Sequence, residues 1–397
     1  MKIEDIILRR IIDSRGNPTV EAEIKTRNGV GIAAAPAGAS TGTHEAMAWP
    51  ENSVSIGMQK AEEKVMPKLI GISADDQKNF DSILKEIDGT QNFSNIGGNI
   101  CVALSLACAK AAANASNETL FHYLGQKEEY SIPAPMSNVL GGGAHAVGGT
   151  DIQEYLVTAF DNDVNTAMEA NAAVHKEVKA VLKKKFPNIA LGKGDEGAWV
   201  APMKNVEALE LVVEAAQKVE TETGVEIKTG LDIAASEFFI DGKYKYKEQS
   251  LTPEEQVDFV LGLIEEYDLH SVEDPLDQED FDSWAALTEQ TDALIIGDDL
   301  YVTNKERLQK GIELGSTNSI LIKPNQIGTL TDTIETVELA KENEMANVIS
   351  HRSGETTDTT IAHLGVAFDS HAIKTGIMGG ERVAKLNELV RISEKLR

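Results

Sequence analysis

The sequence predicts an α/β protein with an N-terminal α+β domain over residues 1–130 and a C-terminal eight-stranded β/α barrel over residues 131–397. Three observations lead to this prediction. Short apolar runs alternate with turn signals near the N-terminus, helical periodicity follows, and beyond a polar, Pro-rich segment at 125–135 short apolar runs alternate with helical stretches. The chain is long enough for a core in each domain, because 42% of its 397 residues are hydrophobic.

The first domain is predicted to begin with a three-stranded antiparallel meander and to continue with helices. Turn sequences separate three apolar or alternating runs, at residues 3–13, 19–25 and 31–35. From about residue 55 to residue 125 the apolar residues recur with the helical period. Cys101 and Cys108 lie seven positions apart in this region, which predicts two buried thiols on one helix face.

In the second domain, six successive predicted strands each lead into an ionisable residue, in the order Asp232, Glu273, Asp298, Lys323, His351 and Lys374. Most of these residues are one strand and one helix apart, with helical periodicity over 253–267 and 331–344. Two earlier strand candidates, 135–140 and 153–160, bring the total to eight, which predicts a barrel. Each charged residue alone is compatible with a solvated loop position. Together they are expected to meet at one mouth of the barrel, where the carboxyl ends of the strands converge.

The residue types at this mouth favour metal-assisted proton abstraction. Asp232, Glu273 and Asp298 form an all-oxygen ligand set, which suits Mg²⁺ best and leaves Mn²⁺ open, whereas zinc would favour more His or Cys. Lys323 and Lys374 are expected to face this set across the mouth. A desolvated lysine near other cations can have a lowered pKa and act as a base. The combination suits removal of a proton next to a carboxylate, with the metal stabilising the enediolate.

The charge balance and the N-terminus narrow the class of protein. The chain has 64 acidic and 37 basic residues, a formal net charge of −27, so nucleic acid and anionic membranes are not expected as partners. The charged segment 1–13 does not resemble a signal peptide, and no apolar run approaches the roughly 18 residues of a membrane span. We therefore expect a cytoplasmic protein, with a secondary cell-surface pool left open.

Eleven short motifs occur in order along the chain: DSRGNPTVEAE, GASTGTHEA, GGGAHAVGGTDIQEY, GKGDEGA, LDIAASEF, SVEDP, GDDLYVTN, KPNQIGTL, SHRSGETTD, IKTG and GERVAKLNELVRI. Together they resemble the enolase (phosphopyruvate hydratase) family, in its archaeal-type form, nearly from end to end. The resemblance implies a hydro-lyase that interconverts 2-phosphoglycerate and phosphoenolpyruvate in glycolysis and gluconeogenesis, on an enolase-type barrel. It also implies two Mg²⁺ ions per site, the second arriving with the substrate.

The resemblance implies a role for each matching residue. Lys323 is the base that removes the C2 proton, and Glu196 is the acid that protonates the departing C3 hydroxyl. Metal ligands are Asp232, Glu273 and Asp298 for the first ion and Ser40, in a closing lid loop, for the second. The residues assigned to the substrate are Gln153 and Glu154 beside the leaving group, Lys374 at the carboxylate, Arg352 and Ser353 at the phosphate, and His145 on a mobile loop.

Three of these assignments have alternatives on the residues alone. The loop around Ser40 is also compatible with a plain tight turn. On the residues alone, Glu196 in the GDEGA turn would ordinarily be an exposed loop carboxylate, and only the resemblance favours the acid; as the acid, it would have its pKa raised by a neighbouring carboxylate such as Glu154. His351 is assigned to the catalytic group, with a purely structural strand-end histidine as the alternative.

The sequence departs from the family pattern at Ala37, where the lid loop usually has Ser, in the MAWPENSVS segment after Ala46, and in IMGGER after Gly376. The first two departures bear on how the lid closes. The resemblance implies a dimer, or an octamer of four dimers, with Arg9 pairing Glu381 across the interface; alternatively, both are surface charges.

Two other functions stay open at this point. A dehydratase for another 2-hydroxy or 2-phospho acid would be expected to lack the phosphate-binding Arg352 and Ser353. A catalytically silent scaffold would be expected to lose Lys323, Glu196 or the three carboxylates. The sequence retains all of these residues.

Overall fold

The computed structural model describes residues 1–39, 41–146 and 148–396. The first domain opens with the strands β1 (Ile3–Ile12), β2 (Pro18–Thr26) and β3 (Val30–Ala34), which form an antiparallel sheet in that order. This confirms the predicted meander. The helices that follow are α1 (Val54–Lys60), α2 (Met66–Leu69), α3 (Gln77–Asp88), α4 (Gly98–Ala115) and α5 (Leu120–Gly125), with a π-helical turn at Ala61–Val65 between the first two.

Helix α4 forms the core of the first domain. It packs on β2 and β3, and both Cys101 and Cys108 are buried free thiols on it, as predicted. By length and composition this helix is apolar enough to cross a membrane, with a mean hydropathy of 1.2 over 18 residues. The expectation that no apolar run approaches that length was therefore wrong. Because 83% of that window is buried inside the protein, the position of α4 is that of a core helix.

The second domain alternates strands and helices. Its first half holds β4 (Ala134–Gly141), β5 (Glu154–Phe160), α6 (Val164–Lys185), β6 (Gly192–Lys193), β7 (Trp199–Val200), α7 (Asn205–Thr223), β8 (Glu226–Asp232), β9 (Phe239–Ile240), β10 (Lys243–Lys245) and β11 (Ser250–Leu251). Its second half holds α8 (Pro253–Tyr267), β12 (Ser271–Glu273), α9 (Phe281–Thr288), β13 (Leu294–Gly297), α10 (Lys305–Leu314), β14 (Ser319–Ile322), α11 (Pro324–Ile327), α12 (Leu330–Glu342), β15 (Ala346–Ser350), α13 (Thr360–Ala367), β16 (Ala372–Lys374) and α14 (Gly380–Leu396).

Eight of these strands close into a barrel, which confirms the predicted architecture. The order is β4, β5, β8, β12, β13, β14, β15 and β16, and β16 pairs with β4 to complete the ring. Inward-facing residues of six strands pack together along the axis: Met136, Leu156, Ile296, Leu321, Val348 and Ala372. The long step between Asp232 and Glu273 is explained by the small sheet β9–β11, which is inserted before α8. Helix α8 begins at a capping box formed by Thr252 and Glu255.

One barrel strand runs against the others. β5 pairs antiparallel with both β4 and β8, because the described part of the connection between β4 and β5 holds only a single 3-10 turn (Gly143–His145) and the chain turns directly back. The sequence did not show this reversal. Its consequence is that Glu154, the first residue of β5, lies beside Asp232, the last residue of β8. A parallel β5 would have placed Glu154 at the opposite end of the barrel.

The two domains contact each other over the mouth of the barrel. Residues 126–133, between α5 and β4, contain neither helix nor strand, and the predicted boundary at residue 130 lies in this segment and stays a prediction. Ala37 forms an isolated antiparallel bridge with Gly354, and Lys110 of α4 forms an ion pair with Asp358 at 2.9 Å. The first domain thus covers the end of the barrel at which the six ionisable residues lie.

Candidate active site

The ends of the barrel strands and the covering loops enclose a small cavity of about 20 Å³, well below the usual size for small-molecule sites. It is lined by Gly38, His145, Gln153, Glu154, Glu196, Asp232, Lys323, Ser350, His351, Arg352, Ser353 and Lys374. Most of the predicted site residues therefore meet at one place. Glu273 and Asp298 join the cavity wall through contacts with its two lysines. Ser40 lies outside the described residues.

Lys374 connects carboxylates from three strands. Its Nζ lies 2.7 Å from Glu273 Oε2, 3.1 Å from Asp232 Oδ2 and 3.3 Å from Glu154 Oε2, and all four side chains are buried. Gln153 Nε2 also donates to Asp232 Oδ2, at 3.2 Å. Burial acts to lower the pKa of Lys374, but the surrounding carboxylates outweigh burial and raise it well above its usual value. Lys374 is therefore a permanent cation at the centre of the carboxylate group.

Lys323 contacts Asp298 directly. Asp298 also accepts a hydrogen bond from Gln326 Nε2, at 2.9 Å. Burial acts to lower the pKa of Lys323, but the charge of Asp298 outweighs burial and raises the pKa above its usual value. The expectation of a lysine with a lowered pKa was therefore wrong for this arrangement. The reason is that each lysine touches a carboxylate rather than facing the carboxylates across an open mouth.

As a set, the carboxylates around the cavity offer the ligand atoms that a divalent cation prefers. The buried acids around the cavity are Glu154, Glu196, Asp232, Glu273 and Asp298, against the three cations Lys323, Lys374 and Arg352. This surplus of buried anionic oxygen fits a hard dication. Burial and the charge of Asp232 raise the pKa of Glu273 well above its usual range, so a cation would be needed to hold all three predicted ligands ionised.

The predicted metal trio is not one tight cluster. Among the described residues, the groups whose ligand atoms all lie within 4.8 Å of one another are His145, Glu154 and Glu196, and Asp274, Asp298 and Asp299. The trio is instead divided between the two lysines: Asp232 and Glu273 contact Lys374, while Asp298 contacts Lys323.

A second ionisable group lies on the other side of Lys374. His145 Nδ1 lies 3.3 Å from Glu154 Oε1 and 3.7 Å from Glu196 Oε1, and His351 Nε2 lies 3.3 Å from the same Glu196 oxygen. Burial, followed by the charge of Glu196, raises the pKa of Glu154 to about 7. Burial also acts to raise the pKa of Glu196, but the imidazoles of His351 and His145 outweigh it and hold the pKa well below its usual range. In this arrangement the proton of the carboxyl pair resides on Glu154, so the expected direction of the pKa shift at Glu196 was wrong.

Local backbone geometry places Glu196 in this group. The next residue, Gly197, has φ +79°, and a Cβ there would lie 2.5 Å from the carbonyl oxygen of Met378, so the turn requires glycine. Asn138 Nδ2 donates to Glu196 Oε2 at 3.2 Å. Glu196 is consequently buried, with 2% of its surface exposed, and the alternative of an exposed loop carboxylate was wrong.

The predicted phosphate end of the cavity is built by the segment after β15. The Arg352 guanidinium forms a two-pronged ion pair with Glu45 of the first domain, at 3.0 Å from NH1 to Oε2 and 2.9 Å from NH2 to Oε1. Its NH1 also donates to Asn325 Oδ1 at 3.0 Å. Ser353 Oγ accepts a hydrogen bond from the Ala39 N–H at 2.6 Å. Arg352 and Ser353 thus lie under the covering loop from the first domain.

The same loop is attached to the barrel further along. The backbone N–H and the hydroxyl of Thr43 both donate to Gln278 Oε1 at 2.9 Å, and His44 Nε2 lies 2.7 Å from Glu279 Oε1. Ala37, where the family usually has Ser, contributes its backbone to the bridge with Gly354. The described part of the loop is therefore closed over the cavity.

Sequence reasoning missed four residues that contact this site. Glu45 lies in the motif GASTGTHEA and Gln326 in the motif KPNQIGTL, and the sequence predicted no role for either residue. Asn138 carried a usable signal, since it is a polar residue inside an apolar strand. Arg382 contacts His351 from α14, and its position in the sequence gives no sign of that contact.

A closed β/α barrel whose strand ends bring buried lysines, carboxylates and imidazoles to one mouth is typical of barrel enzymes, whose active sites lie at this end. The chain belongs to the enolase family. The family model described as "Enolase, N-terminal domain" matches residues 3–124, and "Enolase, C-terminal TIM barrel domain" matches residues 129–397.

Curated relatives named enolase match nearly the whole chain. The chain is 51% identical to the enolase of Methanothermobacter thermautotrophicus over 402 aligned residues, which cover 99% of this chain and 97% of the relative. It is 51% identical to that of Methanosphaera stadtmanae, with the same coverage. It is 47% identical to that of Archaeoglobus fulgidus, covering 99% of this chain and 98% of the relative. The predicted resemblance is therefore confirmed, including its archaeal type.

Proposed function

We propose that the protein catalyses the reversible dehydration of 2-phosphoglycerate to phosphoenolpyruvate, as an enzyme of glycolysis and gluconeogenesis. The observation that carries this proposal is that Lys323 and the Glu154–Glu196 pair line one buried cavity, with Lys374 in contact with Glu154 and Lys323 in contact with Asp298. Elimination of water needs a base for the C2 proton and an acid for the C3 hydroxyl. Arg352 and Ser353 supply a cation and a hydroxyl for the phosphate.

The proton transfers are assigned to this chain's own residues. Lys323 removes the C2 proton in the state in which its Nζ is neutral. Lys374 pairs with the substrate carboxylate. Glu154 holds the proton of the Glu154–Glu196 pair before reaction; this proton passes to Glu196, which delivers it to the departing C3 hydroxyl. His145 lies close enough to both carboxyls to keep them in one proton-sharing group. Gln153 lies beside the leaving group, and His351 lies next to Glu196.

The metal assignment follows from the donor set. Asp232, Glu273 and Asp298 would hold a first Mg²⁺, and Ser40 would ligate a second ion that arrives with the substrate. Bound Mg²⁺ supplies positive charge against the second negative charge that the substrate carboxylate group acquires when the C2 proton leaves. The excess of buried carboxylates over cationic groups supports this assignment.

The assembly and location are also proposals. We infer a homo-oligomer, a dimer or an octamer of four dimers, that acts in the cytoplasm on a small phosphorylated acid without nucleic acid or membrane partners. Exposed apolar side chains on the first sheet support an interface there: Ile12 is 72% exposed and Ile32 is 43% exposed. Arg9 pairs within its own chain with Glu21 and Glu23, and Glu381 lies 3.2 Å from Arg382.

The reaction can be tested in one cuvette. 2-Phosphoglycerate is added to the protein with Mg²⁺, the phosphoenolpyruvate absorbance is followed, and excess EDTA is then added. We expect a rise that EDTA stops. Lys323→Met should give a flat trace, whereas Lys305→Met, at a half-exposed lysine on α10, should behave as the unmodified protein. A flat trace from folded, unmodified protein would overturn the proposal in favour of a different substrate or a silent scaffold.

A further inference from the structure

A fully buried arginine ties together two loops of the site. Arg382 lies in the first turn of α14. Its NH1 donates to the carbonyl of Arg352 at 2.5 Å, and its NH2 donates to the carbonyls of Ser353 at 2.6 Å and of Asp195 at 3.2 Å. The guanidinium therefore joins the segment after β15 to the turn that carries Glu196.

A further contact of this guanidinium determines which nitrogen of a histidine carries the proton. Arg382 NH1 lies 2.8 Å from His351 Nδ1. A guanidinium only donates, so Nδ1 must be the accepting, unprotonated nitrogen. Burial lowers the pKa of His351 to about 3, so the ring is neutral and its single proton is on Nε2. Nε2 is the nitrogen that lies 3.3 Å from Glu196 Oε1.

We propose that Arg382 is a positioning residue that holds His351 in the Nε2-protonated tautomer, so that an N–H rather than a lone pair faces Glu196. The other tautomer would set a nitrogen lone pair 3.3 Å from the Glu196 carboxylate, where the two would repel each other. The inference deepens the proposed function, because it rests on Glu196 being the acid. It also gives the GERVAKLNELVRI motif a role at the site.

The neighbouring turn of α14 offers a matched control. Lys385 is as deeply buried as Arg382 and holds the same loop, with Nζ 2.8 Å from Glu355 Oε2 and 2.9 Å from the carbonyl of Thr356. The two side chains lie on one helix face, three residues apart. Only Arg382 of the two is bonded to His351. A loss that stems from loosening of the loop should therefore occur in variants of both residues.

The direct test is nitrogen NMR of protein labelled with ¹⁵N-histidine, with the His351 signals assigned from their absence in His351→Gln. We expect an unprotonated Nδ1 and a protonated Nε2 in the unmodified protein. Arg382→Met should give a tautomer mixture or the Nδ1-protonated form, and Lys385→Met should leave the signals unchanged. A protonated Nδ1 in the unmodified protein overturns the inference without any variant having to fold.

Kinetics supply the second readout. Arg382→Met should lower kcat on the order of a hundredfold, as is typical for residues that orient a functional group, and Lys385→Met should lower kcat much less. In His351→Gln, the glutamine amide N–H₂ takes the place of Nε2–H and has no tautomers. Adding Arg382→Met to that variant should therefore lower kcat little further. Two results would refute the inference. One is a loss of kcat in the double variant equal to the product of the two single losses, and the other is an equal loss of kcat in Arg382→Met and Lys385→Met.

These outcomes separate the inference from the proposed function. Unmodified protein that does not dehydrate 2-phosphoglycerate would overturn the proposed reaction, whereas the NMR result still decides whether Arg382 fixes the tautomer of His351. If the protein is active but the tautomer of His351 does not change in Arg382→Met, the proposed reaction stands and the positioning role of Arg382 is refuted.

Discussion

Glu45 occupies the two-pronged face of the arginine that we assign to the substrate phosphate, and replacing it with glutamine tests whether it competes with phosphate. Both partners are buried, with 3% of the Arg352 side chain and 9% of the Glu45 side chain exposed. Glu45 also accepts hydrogen bonds from the Gly42 N–H at 3.2 Å and from Gln326 Nε2 at 3.3 Å. Glu45→Gln keeps the shape of the side chain and removes its charge.

The size of the effect can be worked out from the pair. Removing one partner of a buried ion pair costs about 3–5 kcal/mol of stability, and we expect the lower end, because Asn325 Oδ1 still accepts from Arg352 at 3.0 Å. A phosphate on the far side of the guanidinium would be repelled by the Glu45 carboxylate. Two unit charges about 7 Å apart, at an effective dielectric constant of about 20, repel by about 2 kcal/mol. Without that repulsion, inorganic phosphate should bind about ten- to thirtyfold more tightly.

The assay is calorimetric titration of inorganic phosphate into each protein, with urea unfolding measured alongside. Glu279→Gln is the control, since it removes a carboxylate that contacts the same covering loop through His44 and no phosphate-binding residue. We expect lower stability and tighter phosphate binding for Glu45→Gln, and unchanged phosphate binding for Glu279→Gln. Weaker phosphate binding by Glu45→Gln would refute the reasoning and show that Glu45 holds Arg352 in place for the substrate.

Three further predictions follow from the described contacts. Lys323→Ala should abolish exchange of the C2 proton with solvent, while Glu196→Gln should block dehydration and keep part of that exchange; equal loss of exchange in both would contradict the division of roles. Arg9→Ala should lower the sedimentation coefficient, and an unchanged coefficient would show that the proposed intersubunit pair is not needed. The hydrogen bond with His363 and then that with Arg391 hold the pKa of Glu388 at about 2, below its unfolded value, so this stabilisation is complete above about pH 4.3 and is lost as the pH falls towards 2. Glu388→Gln should therefore cost about 1 kcal/mol of unfolding free energy at pH 6 and progressively less below pH 4.3, as measured by urea unfolding.

The sequence was most informative where short-range chemistry decides structure. The meander of the first domain and the period of the barrel are local patterns of apolar residues and turns, and the strands formed within one or two residues of the predicted ranges. The ionisable residues at the strand ends met at one mouth because parallel barrel strands all end on the same side. Asp232, Glu273 and Lys374 were brought together in this way.

The direction of β5 could not be predicted from its own residues. A buried strand has the same pattern whichever way it runs, so the run at 153–160 was compatible with either orientation. The short connection after β4 and its pairing with β8 decided the matter, and they placed Glu154 beside Asp232. The proposed acid pair depends on this reversal.

The sequence by itself determined the two-domain α/β architecture, the residues available for catalysis and, through its motifs, the enolase family. Only the tertiary structure decided which of those residues touch. It set Glu45 against Arg352 across 307 positions of chain and Arg382 against His351. It also fixed the pKa directions, with Lys323 raised by Asp298 and the shared proton on Glu154 rather than Glu196. These features depend on burial and on distances of a few ångströms between groups far apart in the chain, and no local pattern of residues encodes them.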